Sequence, residues 1–436
     1  MAELSILNSN LNSSRLFLAE ADSKIDYLAP KEWNSSDRNI LRDLKTVEPN
    51  QAPRYGSTSI FDINVSDVLT VAYLRIRATP LTNAAEDTAR PMPKYAGVHA
   101  IRRVRVRWGN TTLEDIQDYP TWFNYALSKM DEEKAKMFLE AAGGTAALAP
   151  GVDVQRDYYV PIPLFNDFLH CKTQPVDARN LSGQLRVEVE LAPGSRMANF
   201  DPAGDLKVKD QPELQLHYHS YVFSSTSDRS TVEAVNDPLA PAQFKSVEFE
   251  TSSNVDVGIG AANTVRIKLD SFVGSKREIA VLVRPAASAD YDADGRKGQI
   301  SGKYLKAAGA AGHNVGTAGG GLTESRIRML VNGRTYYEIS GGSRACLMNS
   351  VMSEATMSKS ASDAAVDESY ECHLIPIAVD NDRRNYAGGA NITRLSDTAI
   401  EVRNLSDNPV TVSLVLVTDT LYEYRDGKLF KLNQDV

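Results

Sequence analysis

The stretch ASADYDADGRKGQIS has the opening pattern of a metal-binding loop. Asp290, Asp292 and Asp294 alternate and Gly295 follows at once. A calcium-binding loop opens this way, with oxygen ligands at positions 1, 3 and 5 and a glycine where the chain turns sharply. Counted from Asp290, however, the position that must supply a bidentate carboxylate is Ser301, and Arg296 and Lys297 place positive charge beside the ion's position. These residues read as a solvated loop between strands, and no metal ligand is assigned. His217 and His219, in LHYHSY, lie two apart and share one face of a strand, but no third His or Cys stands near them in the sequence to complete a metal site. Cys372 and His373 adjoin, so on a strand their side chains leave on opposite faces and cannot form a nucleophile–base pair. Motifs for phosphate cradling, a nucleophile elbow, a zinc protease or a dinucleotide fold are absent. A glycosidase would need two acids drawn together from distant strands, and nothing in the sequence singles out such a pair. No catalytic, cofactor-binding or metal residue is assigned, and the chain is read as a non-enzyme.

The elements that would hold any site are mostly strands. In GQLRVEVELAP, Leu185, Val187, Val189 and Leu191 alternate with charged residues, the pattern of a strand with one buried face. NTVRIKLDSF (Val265, Ile267, Leu269), REIAVLVRP (Ile279, Val281, Val283) and SRIRMLVNG (Ile327, Met329, Val331) repeat it. Asn332-Gly333 and Asp426-Gly427 are two-residue hairpin signals, and Asp407-Asn408-Pro409 marks another turn. One stretch, EDIQDYPTWFNYALSKMDEEKAKMFLEAAGG, has helical spacing (Phe123, Ala126, Leu127, Met130) with Gly143 to end it, and reads as an insertion over about 114–142. The Gly/Ala-rich runs KAAGAAGHNVGTAGGGLTE and AAGGTAALAPG read as long loops. The polar, proline-containing segment STSDRSTVEAVNDPLAPAQF divides the strands into two halves. The expected organisation is an N-terminal arm over 1–45, a first β-sandwich over 46–235 and a second over 236–436.

Composition narrows the function classes. The 436 residues carry a net charge of −8, which disfavours direct nucleic-acid binding, since phosphate contacts need clustered Lys and Arg. The one basic stripe, RRVRVRW, alternates Arg103, Arg105 and Arg107 with Val104, Val106 and Trp108, so it reads as a strand whose arginines face solvent or a neighbouring subunit. Cys171, Cys346 and Cys372 are few and far apart, which predicts reduced thiols rather than a disulfide framework. No apolar run approaches the roughly 18 residues that span a bilayer, and the first residues lack the basic and apolar regions of a signal peptide. The Asn-x-Ser/Thr sites at Asn12, Asn34, Asn64, Asn110, Asn180, Asn391 and Asn404 are accordingly expected to be unglycosylated.

Four stretches together resemble one family. FDINVSDVLTVAYLRIRATPL is similar to its opening strand pair, with a polar turn ending at Asp67. AIRRVRVRWGNTTLEDI resembles its strand–glycine–turn leading into a helical insertion. YYVPIPLFNDFLHCKTQPVDARNLSGQLRVEVELAP is similar to its Pro-Leu-Phe segment and the strand that follows. NYAGGANITRLSDTAIEVRN with LVLVTDTLYEYRDGKLFKL resembles its ending, at Gly388, Gly389, Asn391, Thr393, Arg394, Leu395, Tyr422 and Gly427. One departure is Ser396, which stands before Asp397 where many members place the Asp directly after the apolar residue. The family is the double jelly-roll major capsid proteins of the tectivirus–adenovirus lineage, which includes nucleocytoplasmic large DNA viruses and virophages. The resemblance implies an all-β chain of two tandem eight-stranded jelly-roll sandwiches with a short helical insertion and long loops. It also implies a homotrimeric, pseudo-hexagonal capsomer in the icosahedral shell of a double-stranded DNA virus. Neighbouring capsomers and minor capsid or penton proteins would be its partners; with the acidic balance of the chain, an internal membrane or separate basic core proteins would lie beneath, and direct sequence-specific nucleic-acid binding would be absent. Such a protein resides in the virion and is assembled in the host cytoplasm or nucleus. The Gly/Ala-rich 306–322 loop and the 114–142 insertion would then be tower or inter-subunit elements. The rival readings are a carbohydrate-binding or tail-fibre β-sandwich and, as an enzyme, a β-sandwich glycoside hydrolase.

Overall fold

A computed structural model describes residues 40–63, 68–80, 82–83, 96–128, 132–143, 155–163, 176–177, 183–194, 206–207, 210–223, 243–272, 274–285, 325–341, 371–377, 389–392, 395, 397–405, 410–425 and 428–431. The first half contributes β1 (Ile40–Val47), β2 (Thr58–Ile63), β3 (Val68–Ala78), β4 (Thr82–Asn83), β5 (Ile101–Trp108), β6 (Thr111–Ile116), β7 (Arg156–Ile162), β8 (Val176–Asp177), β9 (Leu185–Leu191), β10 (Leu206–Lys207) and β11 (Glu213–Phe223). The second contributes β12 (Gln243–Thr251), β13 (Val255–Val257), β14 (Thr264–Lys268), β15 (Ser275–Pro285), β16 (Ser325–Val331), β17 (Arg334–Gly341), β18 (Glu371–Pro376), β19 (Ala390–Asn391), β20 (Ala399–Asn404), β21 (Val410–Arg425) and β22 (Lys428–Lys431).

Among the described residues, setting aside the short β4, β8, β10, β13, β19 and β22 leaves eight principal strands in each half. The first half pairs them as β1-β11-β3-β7 and β2-β9-β5-β6, the second as β12-β21-β15-β18 and β14-β20-β16-β17. Numbered from one to eight within its own half, each unit therefore has sheets in the order 1-8-3-6 and 2-7-4-5. That is the jelly-roll connection, made twice by the same chain. The fold is all-β with a helical insertion between β6 and β7, as the sequence leads one to expect.

Alternation sets the faces. Leu185, Val187, Val189 and Leu191 of β9 are buried while the charged residues between them are half-exposed. The Asn332-Gly333 signal is a two-residue hairpin: Val331 pairs with Arg334, and the turn residues have φ of 52° and 73°. Positive φ at both positions matches the right-handed twist of the strands it joins. Replacing Gly333 with Ala puts a Cβ into this left-handed region and should cost about 1 kcal/mol, read as a lower urea midpoint with unchanged slope. Arg425 pairs with Lys428, so the Asp426-Gly427 connection is also two residues long, although the turn itself lies outside the described residues.

Four features differ from the sequence reading. β1 begins at Ile40, inside the stretch read as an arm, and pairs along its whole length with β11. β15 is buried on both faces rather than one: Ile279, Val281 and Val283 enter the second unit's core, while Ala280 and Leu282 join the first unit's. The helical insertion is two helices, Tyr119–Ser128 and Glu132–Ala141, and Glu114–Ile116 belong to strand β6. Asp118 begins the first helix, its carboxylate accepting the Thr121 hydroxyl at 2.8 Å, and Pro120 sits in the first turn where its missing N–H costs nothing. A four-residue helix, Ala96–His99, was not signalled by periodicity. Among the described residues no helix is long and apolar enough to cross a membrane.

Candidate assembly interface

The two units are joined along a seam. β12 of the second unit lies parallel to β6 of the first, with Glu250 opposite Asp115, so a sheet from each unit becomes one continuous sheet. The Tyr119–Ser128 helix covers this join. Its Trp122 meets the Phe249 ring edge-on at 6.0 Å, Tyr125 lies 6.1 Å from the same ring, and Tyr119 packs on Trp122 at 5.4 Å. All three helix rings are fully buried. The first unit's core consequently takes in Val247, Phe249, Ala280, Leu282, Val415, Val417 and Tyr422 of the second. The first part of the insertion is thus internal packing, which removes it from the tower elements expected from the resemblance.

Polar groups cross the seam in register with the rings. Thr251 Oγ1 accepts the backbone N–H groups of Gln117 (2.9 Å) and Asp118 (3.2 Å), and Tyr125 donates its hydroxyl to Glu278 at 2.9 Å. Glu114 Oε2 accepts the backbone N–H of Phe249 at 3.1 Å. Beside it, Glu248 accepts the Tyr422 hydroxyl and pairs with the Lys431 ammonium. Lys276 is held by Glu250 and by Thr418 Oγ1, the latter at 2.8 Å. Burial, and after it the facing charge of Glu248, hold the Glu114 carboxyl well above the usual carboxylate range. Burial, and then Glu248, also push the Tyr422 hydroxyl up, whereas burial draws the Lys276 ammonium down. Sequence reasoning did not single out these residues, because their partners are far apart along the chain.

A second surface is the outer face of the β1-β11-β3-β7 sheet. Register places Thr46, His217, Tyr73 and Pro161 in one row across it, with Leu44 beside His219 in the next. Tyr73 stacks on His217 at 5.0 Å and meets Tyr159 edge-on at 6.1 Å. With Phe138 and Ala141 of the second insertion helix, Tyr73, Tyr159 and Pro161 line an open apolar groove of about 480 Å³. The two histidines do share a face, as the spacing predicts. His217 Nδ1 hydrogen-bonds Thr46 Oγ1 at 3.0 Å, and among the described residues no cluster of three metal-ligating side chains forms. Burial, and then Arg75, draw the His217 imidazole down, favouring the neutral ring that stacks. The other half of this face is polar and self-paired, Asp157 being held at about 2 by Arg77 and Arg75.

The basic stripe is also paired within its own sheet. Val104, Val106 and Trp108 are buried, while Arg103 bonds Asp115 at 2.7 and 2.6 Å and Arg105 and Arg107 reach Glu188 at 3.4 and 3.5 Å. Arg186 meets Asp62 at 2.8 Å on the same face. Each guanidinium therefore faces a carboxylate of a neighbouring strand and contributes little free positive field. His373 is buried, on β18 opposite Val281 of β15. Asp290, Asp292, Asp294, Ser301 and the 306–322 loop lie outside the described residues.

No protein-family model and no curated protein sequence matches this chain. Solved structures do. PBCV-1 VP54, fitted into a reconstruction of the virophage Sputnik, superposes with a TM-score of 0.67 at 13% identity, covering 92% of this chain and 98% of that one. The Faustovirus major capsid protein superposes at 0.58 and 9% identity, covering 97% of this chain and 98% of its own. A chain of the Sputnik virophage structure matches at 0.51 and 8%, over 96% and 93%. At these identities the likeness is one of fold, and it extends over nearly the whole length of both partners.

Proposed function

We propose that a chain with this fold is a shell-building subunit: the major capsid protein of an icosahedral double-stranded DNA virus, acting through assembly and not through catalysis. The observation that carries the reading is the repeated strand order. Two sandwiches of one strand order, joined by a shared sheet and a buried helix, form one body in which a single plan is repeated. Three such bodies about one axis present six similar blocks, a near-hexagonal outline that tiles a flat facet, and closed cyclic symmetry limits open-ended growth. We place the division between the units near residue 235. The partners are other copies of the chain, first within the trimer and then in adjoining capsomers, together with minor capsid or penton proteins at facet boundaries. With a net charge of −8 and its arginine stripe self-paired, the chain is poorly suited to neutralise a packaged genome. An internal membrane or separate basic core proteins would lie between shell and DNA.

Light scattering on the purified chain tests this reading. The expected mass is about three times 47.8 kDa, unchanged by a calcium chelator. The half-exposed Tyr73, Tyr159 and His217 rings are what a glycan-binding sandwich would also display. A monomer that binds oligosaccharide would favour that second reading and sink the capsomer.

A further inference from the structure

Few backbone bonds hold the edge along which the two units meet. β12 and β6 pair at Glu250 and Asp115, and the neighbouring N–H of Phe249 goes to a side chain, Glu114 Oε2, at 3.1 Å. Glu114 thus supplies a bond across the seam that a backbone carbonyl would otherwise give. The groups facing it are Glu248 and Glu250 from β12, Lys431 from β22 and Tyr422 from β21. Glu248 already takes Lys431 and the Tyr422 hydroxyl, and Glu250 takes Lys276 of β15. Among the described residues two ammonium groups thus serve three carboxyls; each is bonded to one of Glu248 and Glu250, while Lys431 acts on Glu114 only from nearby.

We propose that Glu114 is a proton-bearing clasp: it is neutral while the two jelly rolls are joined, and its ionisation opens the seam between them. The joined state buries Glu114 against Glu248, a carboxyl that burial likewise raises, so the pair binds a proton more readily joined than opened to solvent. Losing the proton to solvent leaves two carboxylates facing one another around the single ammonium of Lys431, a charge that water must enter to relieve. The sign follows from proton linkage. Glu114 holds its proton more tightly joined than apart, so the clasp is complete below the ordinary carboxylate range and weakens as pH rises through the raised value. The clasp lies within one chain, so its failure would leave the capsid reading untouched.

The test is hydrogen exchange on the full chain from pH 5.5 to 8.5, corrected for intrinsic rates, following the 119–128 helix and β12. Protection there should fall by up to about tenfold per pH unit across the titration, the limit for one linked proton. Protection of β16 and β20, packed in the second core, should stay constant. Glu114→Gln, which keeps a neutral acceptor, should hold the acid-state protection at every pH. A pH-independent seam in the unaltered chain would overturn the proposal. So would a slope that persists in Glu114→Gln, a variant whose seam is open even at pH 5.5, or a parallel fall in β16 and β20.

Discussion

Trp122→Ala is expected to lower stability by about 3–5 kcal/mol and to split one unfolding transition into two. Trp122 is fully buried, and its neighbours belong to different units: Tyr119 on its own helix and Phe249 on β12. Truncating it removes the apolar area of the largest side chain in the seam and leaves a cavity that β-sheets on either side cannot close without bending. The loss therefore falls on the coupling between units more than on either core. Urea unfolding followed by probes in each half would show noncoincident curves for the variant and coincident ones for the unaltered chain. Leu414→Ala supplies the contrast. That residue is buried in the second core, so a loss of about 2–5 kcal/mol is expected while the two curves stay together. Curves that part equally in both variants would mean that the helix does not join the units.

Lys431→Met is the second. The Lys431 and Glu248 side chains are 12% and 5% exposed, so this ion pair is a buried one, and removing one partner strands a charge at a cost of about 3–5 kcal/mol. The deficit should depend on pH. Burial already raises the folded Glu248 carboxyl although Lys431 opposes it, and without Lys431 the folded value rises further. A raised carboxyl contributes stability that is present below its unfolded value and lost as pH rises through the folded one. The gap between variant and unaltered chain should thus be widest near neutrality and shrink toward pH 5, measured as the difference in urea midpoints. A gap of constant size would assign the loss to the packing of the lysine stem alone.

What could be read in the sequence was whatever depends on neighbours. The alternation of Leu185 to Leu191 gave β9 its buried face, and Asn332-Gly333 gave the hairpin, because period and turn chemistry act within a few residues. β15 misled for a physical reason. Ile279, Val281 and Val283 alternate with Ala280 and Leu282, which are also apolar, so the run is continuous, and only the second unit's position against the first decides that both faces are covered. The charged neighbours of Glu114 fit a solvated helical face equally well, whereas the Phe249 N–H that places it lies 135 residues away. Glu248 and Lys431 are 183 residues apart and carry no local mark at all. The two histidines of LHYHSY were noticed for their spacing, but Tyr73, on another strand, determines what one of them does.

The join between β12 and β6 also changes how many sheet borders the molecule leaves open. Each of these strands would otherwise end a four-stranded sheet and expose a row of unpaired N–H and C=O groups, a template on which another chain can add itself. By lying edge to edge, with one backbone pair and with Glu114 taking the Phe249 N–H, they cover part of both borders at once. Mispairing between copies accordingly has fewer places to start, and contacts between chains are left more to surfaces shaped by side chains.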